Sequence, residues 1–147
     1  MSEKKVALVT GGSGGIGSAI CKSLASKGYQ VVINYNSNKE KALQTLYSLE
    51  SNNHTIFKAS ILHYEDLKNM ASFVKENYGR LDVLVNNSGI TKPVPHHNLE
   101  ALNDELIDSI MQVNFRGTFA CIRAFEPLLR KGKNSIVVNI SSIAART

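Results

Sequence analysis

Five of the seven residues from 11 to 17 are glycine, in the run Thr10-Gly-Gly-Ser-Gly-Gly-Ile-Gly17, directly after the apolar run Val6-Ala-Leu-Val9 and Thr10. Glycine loses more conformational freedom on folding than any other residue. Such a cluster therefore belongs where main chain turns tightly or approaches something closely. The short unbroken apolar run before it suits a strand buried on both faces of a parallel sheet. Over residues 15–27, Ile16, Ile20, Leu24 and Ala25 recur at helical spacing, and Gly28 stands where a C-cap glycine belongs. The glycines thus join a strand to a helix start, where backbone amides and the positive end of the helix dipole converge.

The alternation continues. Val31-Val-Ile33 predicts a second strand, residues 39–49 a helix, and residues 55–58 a third strand. Residues 64–78 read as a helix with Leu67, Met70, Ala71, Phe73 and Val74 inward, and Leu81-Asp-Val-Leu-Val85 as a fourth strand. A proline-containing loop follows over residues 90–98. One long helical pattern then covers residues 99–129, with Leu106, Ile107, Ile110, Val113, Phe119, Ala120 and Ile122 as core contacts. Ser135-Ile-Val-Val-Asn-Ile140 is the fifth strand. Strands and helices alternating in this way call for right-handed βαβ units in a doubly wound α/β sheet. An open sheet of this kind covers both faces, so a native chain is expected to continue beyond Thr147 with a helix over the fifth strand.

Composition narrows the class. The 147 residues are 43% apolar and 20% charged, which fits a single domain spanning residues 1–147. Seventeen Lys+Arg against twelve Asp+Glu gives 17 − 12 = +5, an excess that suits solubility or a phosphorylated ligand. Cys21 and Cys121 form no C-x-x-C or metal spacing and read as reduced thiols. No apolar run approaches the ~18 residues of a membrane span, and the first residues lack a signal-peptide core. A cytoplasmic protein is expected, with no metal, membrane or nucleic-acid partner.

Three chemistries compete for the glycine turn. A P-loop needs lysine and Ser/Thr after its last glycine, whereas Gly17 is followed by Ser18-Ala19. A nucleophile elbow fits Gly11-Gly-Ser13-Gly-Gly15, with Ser13 as nucleophile of a hydrolase. An elbow on the first strand, however, has no earlier strand-helix loop to complete an oxyanion hole. Dinucleotide binding fits both overlapping spacings, Gly12-x-Gly14-x-x-Gly17 and Gly11-x-x-x-Gly15-x-Gly17. The end of the second strand then bears on the nucleotide. It reads Asn34-Tyr-Asn-Ser-Asn-Lys39, with no acid before Glu40 to hold a ribose 2′-hydroxyl. Ser37, Asn38 and Lys39 could instead meet a 2′-phosphate, so NADP(H) is favoured over NAD(H).

The chain resembles the short-chain dehydrogenase/reductase family, on four motifs in order. These are Thr10-Gly11-x-x-x-Gly15-Ile16-Gly17, Asp82-Val-Leu-Val-Asn86-Asn87-Ser88-Gly89 on the fourth strand, Asn114 within Met111-Gln-Val-Asn-Phe, and Asn139-Ile-Ser141-Ser142 closing the fifth strand. It looks most like the 3-oxoacyl-(acyl-carrier-protein) reductase branch, whose members share Asn-Tyr at the end of strand two. The resemblance implies a Rossmann-type three-layer αβα fold with strand order 3-2-1-4-5, truncated after strand five. It implies hydride transfer between a nicotinamide and a small-molecule or acyl-carrier-linked carbonyl, and a homo-oligomeric parent protein assembled through the long fourth helix.

By the same resemblance, Ser142 is the catalytic serine. Asn114 bends its helix and leaves a main-chain carbonyl for a water of the proton relay. The implied cofactor site comprises Thr10, Gly11, Ser13, Gly14, Gly15, Ile16, Gly17, Tyr35, Asn36, Ser37, Ser60, Ile61, Asn87, Ser88 and Gly89. Two departures stand out: Ser60 replaces an aspartate that often contacts adenine, and Gly14 an arginine common in NADP(H)-dependent relatives.

The family's Tyr-x-x-x-Lys, which protonates the developing alkoxide, follows the serine by about a dozen residues. Only five residues follow Ser142. Tyr35-x-x-x-Lys39 and Tyr64-x-x-x-Lys68 lie on the wrong elements and read as decoys. The chain is therefore expected to be a reductase fragment with little activity, in preference to a frameshifted remnant, with a non-catalytic dinucleotide-binding module as the alternative. His96 and His97 read as a loop pair, since adjacent side chains diverge and no third ligand is near.

Overall fold

The computed structural model describes residues 4–51 and 53–142. Five strands, β1 (Val6–Val9), β2 (Gln30–Tyr35), β3 (Thr55–Lys58), β4 (Val83–Asn86) and β5 (Ile136–Asn139), form one parallel sheet in the order β3-β2-β1-β4-β5. This is the doubly wound order expected from the sequence. The helices are α1 (Gly15–Ser26), α2 (Lys39–Tyr47), α3 (Tyr64–Tyr78), α4 (Asp104–Met111) and α5 (Thr118–Leu129).

Alternate residues along the strands feed two cores. Ala7, Val9, Val31, Ile33, Val83 and Val85 pack on one face with Cys21 and Ala25 of α1. Val6, Leu8, Val32 and Leu84 pack on the other with Met70 and Val74 of α3 and Cys121, Phe125 and Leu128 of α5. The two-residue period of a strand thus produces the three layers. Gly28, at φ +81°, ends α1, with the N–H groups of Gly28 and Tyr29 bonded to Ala25 O and Leu24 O. Asp82 binds the centre of the sheet to its edge. Its buried carboxylate accepts from Val6 N at 2.8 Å, Arg80 Nε at 3.1 Å and Lys133 N at 3.3 Å.

The single helix expected over residues 99–129 is broken. A 3-10 turn (Leu99–Ala101) precedes α4, which Asn103 caps by accepting from Leu106 N at 3.0 Å. Between α4 and α5 the chain widens into a π-helical turn, Gln112–Gly117. Each residue inserted by such a turn advances the helical phase by about 100°. Phe119, past the turn and expected in the core, is accordingly exposed, while Phe125 is fully buried; Ile107, before the turn and also expected in the core, is exposed as well. Leu106, Ile110, Val113, Ala120 and Ile122 are half-buried. On β5, Ile136, Val137 and Val138 are exposed, with no covering helix after the strand among the described residues.

Both cysteines are free and buried, and burial pushes each thiol up to about 12. This agrees with the reading of reduced core thiols.

Candidate functional site

In a parallel sheet every strand delivers its following loop to the same edge, and the chain reverses its winding direction beside β1 and β4. A cleft of about 400 Å³ lies there. Of the expected cofactor residues, Gly11, Gly14, Asn36, Ser60, Ile61, Asn87, Ser88 and Gly89 line it. Thr10 is buried behind its wall, and Ser13, Gly15, Ile16 and Gly17 continue the turn into α1. Tyr35 is buried in β2, and Ser37 is exposed beyond the strand end with Lys39. Asn38 caps α2, its Oδ1 accepting from Lys41 N at 2.9 Å.

The glycine turn is held from behind. Thr10 Oγ1 accepts from the N–H groups of Asn87 and Ser88, each at 3.0 Å. Asn87 Nδ2 donates to Thr10 O at 3.1 Å and Gly11 O at 3.0 Å. At Gly17 a Cβ would lie 2.3 Å from Gly11 O and 2.6 Å from Asn87 Nδ2, so no side chain fits. Gly14 is the reverse case: its backbone is extended, and a Cβ there would meet nothing within 4 Å.

Beyond that open face, Gly15, Ile16 and Gly17 begin α1, where N–H groups have no carbonyl one turn back. No side chain caps this helix, and its first turn holds no acid. The positive end of its dipole is available to an anion from outside the chain.

Asn114 lies in the π-helical turn. Its side chain reaches the segment after Gly89: Ile90 N donates to Asn114 Oδ1 and Asn114 Nδ2 donates to Ile90 O, both at 2.8 Å. Its main-chain carbonyl accepts from Thr118 Oγ1 at 2.9 Å, a partner the sequence reading missed. Ser142 stands three residues past β5, where Asn86 and Asn139 are in register and Asn86 Nδ2 donates to Asn139 Oδ1 at 2.9 Å.

Asn34 was also missed. It is a buried amide in an apolar strand, and its signals were that polar interruption and the Asn-Tyr shared with the 3-oxoacyl reductase branch. The two Tyr-x-x-x-Lys pairs lie elsewhere: Tyr35 is inside the sheet, and Tyr64 and Lys68 border a groove between α3 and α5. Ser13 has no histidine or carboxylate hydrogen-bonded to it among the described residues, as a nucleophile elbow would require. His96 and His97 are exposed, and no group of three metal-ligating side chains occurs among the described residues.

Residues 5–147 match the family model for short chain dehydrogenases. The chain belongs to the short-chain dehydrogenase family. It is 39% identical over 142 residues to ketoacyl reductase 2, so named, of the granaticin polyketide synthase of Streptomyces violaceoruber, covering 97% of this chain and 56% of that one. To the 3-oxoacyl-(acyl-carrier-protein) reductase FabG of Staphylococcus aureus it is 34% identical over 145 residues, covering 97% and 58%.

Among solved structures, a short chain dehydrogenase from Burkholderia cenocepacia in complex with NADP matches with a TM-score of 0.86 at 33% identity, over 99% of this chain and 59% of that one. One from Burkholderia xenovorans reaches 0.90 at 27% identity, over 100% and 63%. The chain thus spans 56% to 58% of the curated relatives' length. The four short-chain dehydrogenase motifs of the sequence all fall on the carboxyl edge of the sheet or on the π-helical turn joined to it.

Proposed function

We propose that the chain binds a nicotinamide dinucleotide in this cleft, NADP(H) in preference to NAD(H), and that it forms part of a reductase converting a 3-oxoacyl or similar carbonyl to the alcohol. The observation supporting this most directly is the open main chain at Gly14, beside an α1 N-terminus with no cap of its own. The pyrophosphate would rest on the amides of residues 13–17. Asn87, Ser88 and Gly89 would face the adenosine ribose, Ser60 and Ile61 the adenine, and Asn36, Ser37 and Lys39 a 2′-phosphate.

A bound nicotinamide would supply the hydride. Of the chain's own groups, the Ser142 hydroxyl would donate to the substrate carbonyl oxygen and the Asn114 carbonyl would hold a relay water. The FabG and ketoacyl reductase relatives favour an acyl-carrier-linked or small-molecule carbonyl as substrate. A cytoplasmic location goes with that reading. Self-association is part of it too. Ile107, Met111, Phe115 and Phe119, four residues apart, leave an exposed apolar line along α4, the π-helical turn and α5.

A second reading of these residues is a dinucleotide-binding module with little turnover, which the uncapped α1 N-terminus beside the open Gly14 face supports equally. Fluorescence titration with NADPH and NADH, followed by a ketone-reduction assay on the same sample, separates the two. Saturable binding with slow or no turnover supports the module, and rapid turnover supports the enzyme. Failure of a folded sample to bind either cofactor overturns both.

A further inference from the structure

We infer that Asn34 is the positioning residue of the cleft, its single side-chain amide setting the spacing between the glycine turn and the wall formed after β3. The cofactor role of that spacing rests on the proposed function. The clamp itself rests on geometry alone. Asn34 sits in β2 among Val31, Val32, Ile33 and Tyr35 and is 1% exposed. A buried amide is costly unless its hydrogen bonds are made.

Here they are made, and they point in two directions. Toward β3, Nδ2 donates to Ala59 O at 2.9 Å, with longer contacts to Phe57 O and Tyr35 O at 3.4 Å. Toward the turn, Oδ1 accepts from Gly11 N at 3.4 Å, while the main-chain carbonyl of Asn34 accepts from Gly12 N at 2.9 Å. The amide orientation follows from these partners, because reversing it would set Oδ1 against carbonyl oxygens.

The two ends it joins are opposite sides of one cleft. The residue pairs of β2 and β3 end at Tyr35 and Lys58, with Ala59 N still donating to Tyr35 O at 2.9 Å, and Ala59 leads directly into Ser60 and Ile61 on the cleft wall. Gly11 and Gly14 form the other side. A valine or leucine at position 34 would suit the apolar strand but leave Ala59 O and Gly11 N without their partner. A dinucleotide touching both sides would then meet walls tied to β2 only by the main-chain bonds from Gly12 N to the carbonyl of residue 34 and from Ala59 N to Tyr35 O.

The test uses the whole chain and two variants. Asn34→Leu removes both arms, whereas Asn34→Asp keeps the acceptor for Gly11 and removes the donors to Ala59, so it serves if the leucine variant fails to fold. Amide hydrogen exchange should quicken about tenfold at Gly11 in Asn34→Leu, where its N–H loses its acceptor, and less at Gly12 and Ala59, whose N–H groups keep the main-chain carbonyls of residues 34 and 35; in Asn34→Asp Gly11 should stay protected, with Leu8 and Met70 nearly unchanged in both variants. NADPH affinity should fall about tenfold in Asn34→Leu, but affinity for 2′-AMP, which spans only one side, should fall far less. Unchanged exchange at the three amides, equal quickening throughout the core, or equal loss for both ligands would overturn the assignment. A wild-type chain that binds no NADPH would defeat the proposed function, leaving the exchange data to decide the clamp.

Discussion

Asn114 grips Ile90 at both of its main-chain polar groups, accepting from its N–H and donating to its carbonyl oxygen at 2.8 Å each. The pair joins the π-helical turn to the segment that leaves β4, twenty-four residues earlier. It also fixes Gly89, where an added Cβ would stand 3.4 Å from Asn114 Oδ1. The π-helical turn and the wall of the cleft are therefore one structural unit.

Asn114→Ala should uncouple that unit. Two hydrogen bonds are lost at an exposed site, where water can replace them, so the cost should be about 1–2 kcal/mol. A urea unfolding curve would place it, read as a lowered midpoint at unchanged slope. Asn114→Asp should recover part of the loss through Ile90 N alone. Equal midpoints for wild type and alanine variant would mean the reciprocal pair adds no stability.

Gly17 and Gly14 should respond oppositely to a side chain. Gly17→Ala drives a Cβ against Gly11 O and Asn87 Nδ2 and should cost about 1–3 kcal/mol while abolishing NADPH binding. Gly14→Arg enters open space from an extended backbone and should leave stability within about 0.5 kcal/mol. The new guanidinium should also raise preference for NADPH over NADH, by charge-assisted bonding to the 2′-phosphate. Thermal melts and paired titrations would check both variants. A stable Gly17→Ala chain with normal affinity would refute the close approach.

The buried thiols predict a loss of stability in alkali. Burial raises Cys21 and Cys121 from 9.0 to about 12 in the folded chain. A raised folded value favours the protonated form, so the thiols' contribution is complete below pH 9 and is lost as pH rises towards 12. Denaturant midpoints should decline across that window, and less steeply in a Cys21→Ala, Cys121→Ala double variant. A thiol reagent at neutral pH should react slowly with the native chain and rapidly after unfolding. Fast native labelling would contradict the burial.

How far the sequence could be read depended on the range of the interactions involved. Val6–Val9, α1 and its Gly28 cap were legible because each element is specified by neighbouring residues. The glycine turn was legible because a backbone requirement selects glycine whatever lies opposite. Asn34 was not, because its partners Ala59 and Gly11 are 25 and 23 residues away and no local pattern links them. The phase of α5 was lost for a different reason. A periodicity carried through residues 99–129 assumes one helical pitch, and the π-helical turn at Gln112–Gly117 changes it.

That phase shift can be tested on two phenylalanines of the same helix. Phe119 continues the uninterrupted pattern but is 59% exposed, its ring 6.0 Å from the Arg123 guanidinium. Phe125 is fully buried with Leu128 and Cys121 against the β1 and β4 side of the sheet. Phe125→Ala should therefore cost about 3–5 kcal/mol, the sum of lost burial and a cavity that α5 cannot close. Phe119→Ala should cost under about 1 kcal/mol. If the two costs came out reversed in urea unfolding at matched protein concentration, α5 would have the uninterrupted helical phase and no π turn. Repeating the measurement at tenfold dilution distinguishes a further role for Phe119, since a contact between copies would make its cost concentration-dependent while that of Phe125 stayed fixed.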